Sequence, residues 1–145
     1  MVEIVEAAGM ESEIVVMSLK YEGIQKIREL RRDWTIGLLT AKAMGDLTRV
    51  DADFLAVHAG LATSGFIRRA HRRGKKVFVW TVNDPVEMWK TINRGADSLI
   101  TDEPALARAV LAQRAGMNAV ERLMVELSFR FGIASEQPGP ETDIN

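Results

Sequence analysis

"KKVFVWTVNDPVEMW", residues 75–89, decides how the rest of this chain is read. An apolar run around Val77 to Val79 closes on Trp80, Thr81 and Asn83. It is then stopped by Asp84-Pro85, a good N-cap residue followed by proline at the first helical position. Strand alternation sets Phe78 and Trp80 on one side and Val77, Val79 and Thr81 on the other. The strand looks buried, yet it finishes in large and polar side chains, and a helix carrying Val86, Met88, Trp89 and Ile92 follows at once.

Outward from this stretch, similar runs recur at even spacing: "IVVMSL" (14–19), "WTIGLL" (34–39), "DFLAVH" (53–58), "KVFVWTV" (76–82) and "DSLITD" (97–102). They are continuous rather than alternating and are separated by helix-length segments, the pattern of a parallel sheet built from βα units and not of hairpins. Ile24, Ile27 and Leu30 mark one intervening helix, and Phe66, Ile67 and Ala70 another. Gly74 and Gly95 stand where left-handed helix caps are wanted, while Asp46 to Val50 leaves room for about one turn. After the last strand come two helices, "EPALARAVLAQR" and "NAVERLMVELSFRF". The second has Val120, Leu123, Met124, Leu127 and Phe131 along one face, expected to pack on the domain's own outer helices, with a partner contact as the alternative. From Gly132 the chain is polar and rich in Pro and Gly, which reads as a flexible tail.

Composition narrows the function classes. The 145 residues, 47% apolar, suit one domain with a real core. Nineteen basic against 20 acidic side chains give no reason to expect a polyanionic partner. The absence of cysteine excludes disulfides and thiolate chemistry and fits a cytoplasmic setting. The N-terminus carries acids where a secretory signal would carry positive charge, and no apolar run approaches the roughly 18 residues of a membrane span.

Two folds accommodate repeated βα units. An open doubly wound sheet would want a glycine-rich loop after its first strand, and "SLKYEG" is neither a GxGxxG nor a P-loop. A (β/α)8 barrel needs eight units in roughly 200 residues or more, and five are present. Periodicity alone leaves the two open.

At "VFVWTVND", followed after one helix by "RGADSLITDEPALA", the sequence resembles the glycerophosphodiester phosphodiesterase family, whose barrels end in a Trp-Thr-Val-Asn strand and a last strand running into Thr-Asp-x-Pro. "VVMSL", "IGLL", "DFLAVH" and "AHRRGKKV" resemble the family's fourth, fifth and sixth strands and the helix end before the seventh. The resemblance covers roughly residues 10–112 and implies an α/β chain forming part of a (β/α)8 TIM barrel of the phospholipase-C-like phosphodiesterase type, strands four to eight with their helices. It divides the chain into barrel, residues 1–116, an added amphipathic helix, 117–131, and a tail, 132–145.

In such barrels the C-terminal strand ends line the substrate cavity. By position Trp80 resembles the family's wall for the glycerol or alcohol part of the substrate. Ser18, ending the fourth strand, keeps the family's serine although Leu19 replaces the usual aromatic residue; His58 sits at the end of the sixth strand and Asn83 after the seventh. These four, Trp80, Ser18, Asn83 and His58, are the candidate substrate-binding residues.

The family's chemistry is metal-assisted attack on a phosphodiester with two histidines as general acid and base. Its His-Arg-Gly opening, Glu-x-Asp metal pair and Glu-x-Lys have no counterpart here, so no catalytic and no metal-binding residue is expected in this chain. Asp102 and Glu103 are adjacent rather than on one face, and Asp51 and Asp53 precede their strand, at the wrong end for a site. His71, in "RRAHRRGKK", lies far from the cavity end. That run has six Lys or Arg without interleaved aromatics, which fits a solvated helix face better than a nucleic-acid site.

The resemblance thus implies a phosphoric diester hydrolase that releases glycerol phosphate and an alcohol, uses a divalent cation such as Mg or Ca when complete, and is inactive in this portion alone. Unpaired sheet edges imply pairing with a second copy or with the missing N-terminal half. Two other readings are a non-catalytic half-barrel that binds a ligand around Trp80 and Asn83, and another phosphate-binding barrel enzyme acting on sugar phosphates.

Overall fold

The computed structural model describes residues 1–42 and 45–131; the tail anticipated over 132–145 lies outside them. Five strands, β1 (Val16–Ser18), β2 (Ile36–Thr40), β3 (Phe54–His58), β4 (Lys76–Trp80) and β5 (Ser98–Leu99), form one parallel sheet in sequence order. That order lacks the reversal that defines a doubly wound sheet and leaves the barrel arrangement, here partial. The helices are α1 (Val2–Ala8), α2 (Tyr21–Leu30), α3 (Ser64–His71), α4 (Pro85–Asn93), α5 (Pro104–Gly116) and α6 (Ala119–Arg130). Asp84 caps α4 by accepting from the Glu87 N–H, with Pro85 in its first turn, and Gly74 and Gly95 take the positive φ expected of them, 71° and 97°. The short crossover after β2 is a single 3-10 turn, Leu47–Arg49. It is capped by Asp46, whose carboxyl lies below the usual range because the Thr48 hydroxyl donates to it.

The central strands match their apolar runs, whereas β1 and β5 are shorter than "IVVMSL" and "DSLITD" suggest. The cause is position: each has a ladder neighbour on one side only among the described residues, so its ends lack the bonds that would hold them extended.

Side chains divide into two layers. Leu55, Val57, Val77 and Val79 face the helices and join Ile24, Ile67 and Met88 in the main core. Gly37, Phe54, Ala56, Phe78 and Trp80 alternate with them and line the other, inner face of the sheet. Phe54 and Phe78 stack there with centroids 4.4 Å apart, and the Phe54 ring lies directly on Gly37. A Cβ at Gly37 would overlap that ring, so Gly37→Ala should destabilise by about 1–3 kcal/mol. Urea denaturation checks this, and Phe54→Leu in the same chain should recover part of the loss.

At the opposite, N-terminal end of the strands the same joint occurs twice. The Asp53 carboxylate accepts from the Ile36 N–H at 2.8 Å and from Arg28 at 3.0 Å; the Asp97 carboxylate accepts from the Val77 N–H at 2.7 Å and pairs with His71 at 2.7 Å. Each aspartate thereby ties the start of its strand to the start of the preceding one and to the helix that leads into it.

α6 departs from expectation. Val120, Leu123, Met124, Leu127 and Phe131 face solvent, and it is Val125 and Phe129 on the other side that pack, Phe129 edge-on to Trp89 at 6.5 Å. The helix is apolar on two faces. The aromatic contact to α4 selects the narrower one.

Candidate active site

Within the stretch 75–89, β4 ends at the C-terminal edge of the sheet, and the polar residues at and just after that end are held by specific bonds. Trp80 is half-buried on the inner face, away from the helix layer, and its indole Nε1–H donates to the Ala56 carbonyl of β3 at 3.1 Å. His58 pairs with Trp80 in the ladder and meets its ring edge-on, centroids 5.7 Å apart. His58 Nδ1 accepts from the Gly60 N–H at 3.2 Å. In the neutral ring this bond leaves the proton on Nε2, so an exposed imidazole presents an N–H donor beside the indole.

Asn83 does different work. Its Oδ1 accepts from the Thr101 hydroxyl at 3.0 Å and the Asp102 N–H at 2.9 Å, while its Nδ2 donates to the Asp102 carboxylate at 2.9 Å. The carboxamide thus clasps the loop after β4 to the loop after β5, uniting the Trp-Thr-Val-Asn and Thr-Asp stretches into one rim. Thr101 and Asp102 are partners of Asn83 in this rim that sequence reasoning did not single out for this role. The only signal was that both motifs end their strands in polar residues.

Ser18 stands apart from the other three. It shares the side of Val16, against the helix layer, and its Oγ accepts from the Lys20 N–H at 3.1 Å where α2 begins. A Cβ at Gly23 would come within 2.6 Å of that oxygen, so α2 sits closely over it. Facing the inner side of β1 instead are Val15, Met17 and Leu19.

The remaining candidates resolve into structure. His71 is held by Asp97 at the far end of the strands. In the basic run, Arg73 lies 3.6 Å from Asp46 and Lys75 donates to the Ala52 carbonyl at 2.6 Å, while Arg68, Arg69 and Arg72 are exposed. Among the described residues no group of three or more His, Asp or Glu stands close enough to hold a metal ion. The described side chains do not fit a divalent-cation site. No helix of the described residues is long and apolar enough to cross a membrane.

Comparison with known proteins bears on this geometry. The sequence profile described as the glycerophosphoryl diester phosphodiesterase family matches residues 2–106, well over half of the chain. The chain belongs to that family. No curated protein matches it.

Among solved structures, a protein of Silicibacter pomeroyi described as a glycerophosphoryl diester phosphodiesterase superposes with a TM-score of 0.74 at 20% identity, over 78% of this chain and 42% of its own. A glycerophosphodiester phosphodiesterase of Parabacteroides distasonis gives 0.72 at 22%, over 79% and 49%. An Oleispira antarctica phosphodiesterase in complex with its product sn-glycerol-3-phosphate gives 0.61 at 20%, over 67% and 41%. The likeness establishes a partial barrel of this fold, and the chain spans about half the length of these relatives.

Proposed function

We propose that these residues form the strand-four-to-eight portion of a metal-dependent, cytoplasmic glycerophosphodiester phosphodiesterase, which hydrolyses a glycerophosphodiester to glycerol phosphate and an alcohol. The observation that carries the proposal is the Trp80–His58 pair on the inner face at the C-terminal strand ends, in a partial barrel of this family. In this reading the Trp80 indole is an apolar wall for the glycerol or alcohol group, the His58 Nε2–H donates to a phosphate oxygen, and Asn83 keeps the rim in place. Ser18, turned toward the helix layer, has no part in this reading. The acid–base and metal-holding groups of the reaction belong to the rest of the barrel, and no step is assigned to this chain's carboxylates. The product-bound Oleispira antarctica relative supports the substrate class.

Release of glycerol phosphate from glycerophosphocholine, measured with Mg or Ca present, tests this reading. The purified chain alone should give none above blank. Supplying the other three βα units of the Parabacteroides distasonis relative should restore release, and Trp80→Ala should then lower kcat/KM about tenfold or more. Metal-dependent release by the uncomplemented chain would overturn the division of labour.

A further inference from the structure

A cleft of about 510 Å³ lies among the helices, between the start of α3, the C-terminal half of α4 and α6. It shares no residue with the rim of Trp80, His58 and Asn83, and α6, which closes one side of it, follows the residues that the family profile matches. Donors dominate its polar lining. Arg94, just past α4, has no acidic partner among the described residues. Asn93 accepts from Arg114 on its Oδ1 at 3.0 Å, which leaves its Nδ2 free to donate. Ser64, the first residue of α3, brings a hydroxyl and an N–H that has no acceptor within the helix.

These partly exposed groups have water to turn to, and Trp89 does not. It lines the same cleft, is only 3% exposed, and its Nε1–H is buried without an acceptor. Native proteins retain few such orphaned donors, because a buried N–H without a partner is costly. A single acid, Glu126 of α6, faces the donors across the cleft, and no cation pairs with it among the described residues.

We propose that this cleft binds a small phosphate monoester that carries hydroxyl groups. The lining selects both halves of that ligand. A carboxylate has two oxygens in one plane, whereas a phosphate monoester offers three to donors arriving from α3, from the end of α4 and from the indole. A bare inorganic anion meets Glu126 as a like charge, whereas a hydroxyl on the ester donates to that carboxylate. The cleft volume is within the range of small-ligand sites.

The test titrates the isotope-labelled 145-residue chain with glycerol 3-phosphate, inorganic phosphate and glycerol, and follows its three indole N–H signals by NMR, with Trp89→Phe to assign the relevant one. Glycerol 3-phosphate should move the Trp89 signal saturably with a Kd of about 1 mM or below. Inorganic phosphate should bind about fivefold more weakly or worse, and glycerol should leave the signal in place. Arg94→Gln should weaken glycerol 3-phosphate about tenfold or more, and Arg94→Lys should recover part of that loss. Glu126→Ala should remove the preference for the ester over inorganic phosphate. Arg72→Gln, exposed at the other end of α3, and Trp80→Ala, at the strand ends, should change neither affinity. A Trp89 signal unmoved by either phosphate up to about 20 mM would overturn the proposal. So would full affinity in Arg94→Gln, or equal binding of the two phosphates by the unaltered chain. Loss of the shift in Trp80→Ala would place the ligand at the strand ends and sink it equally.

Discussion

Phe54→Ala should cost about 3–5 kcal/mol of unfolding free energy, the range for removing a fully buried aromatic ring. The size of this effect is not obvious from the strand's position, because Phe54 faces the open inner side of the sheet and not the helix-covered core. It is nevertheless only 1% exposed. The ring is sealed from below by Gly37 and stacked by Phe78 with an interplanar angle of 23°. Its burial is therefore produced within the sheet itself by three neighbouring strands. Equilibrium urea unfolding, with the slope m unchanged, is the measurement. Phe78→Ala should cost less, since Phe78 is half-exposed and its removal opens the site to water rather than leaving a void. A loss under about 1 kcal/mol for Phe54→Ala would mean that the inner layer is not packed in this chain.

Such inner-face packing also shows what the sequence could and could not convey. The five strands were legible because a strand buried on both faces reads as an unbroken apolar run, and three of the five are 5 residues long, about as those runs suggest. The edges were overestimated for the same reason: Ile14 packs against the core without joining a ladder, so apolarity there reports burial and not strand. α6 was misread because periodicity finds apolar faces without saying which one meets the protein. The choice depends on Trp89, about 40 residues earlier, reaching Phe129. At the site, Trp80 and His58 stand where their strand ends put them. The clasp of Asn83 to Thr101 and Asp102 joins residues 18 and 19 apart, a distance that depends on the whole intervening α4 and no local spacing rule. Ser18 could have been placed by parity with Val16, since side chains two apart share a face.

Asp97→Ala should destabilise by about 2–3 kcal/mol, and the separate variants should show that the backbone bond, not the ion pair, dominates. The Val77 N–H is the donor, and Val77 is fully buried; without the carboxylate that N–H loses its partner and costs about 1–3 kcal/mol. The His71–Asp97 pair is partly exposed on both sides and contributes about 0–1 kcal/mol. His71→Ala should therefore be mild. Asp97→Asn should fall in between, because an amide oxygen can still accept from Val77 while the charge is lost. The equivalent joint makes a second, independent case: Asp53→Ala removes the acceptor for the Ile36 N–H, also buried, along with a partner of Arg28. The two sites have separate partners, so the double variant should lose the sum of the two within about 0.5 kcal/mol. Should His71→Ala prove as damaging as Asp97→Ala, the joint would be an ion-pair device and its backbone half incidental. The order expected here is the reverse, since a buried N–H has no water to turn to whereas an exposed imidazole does.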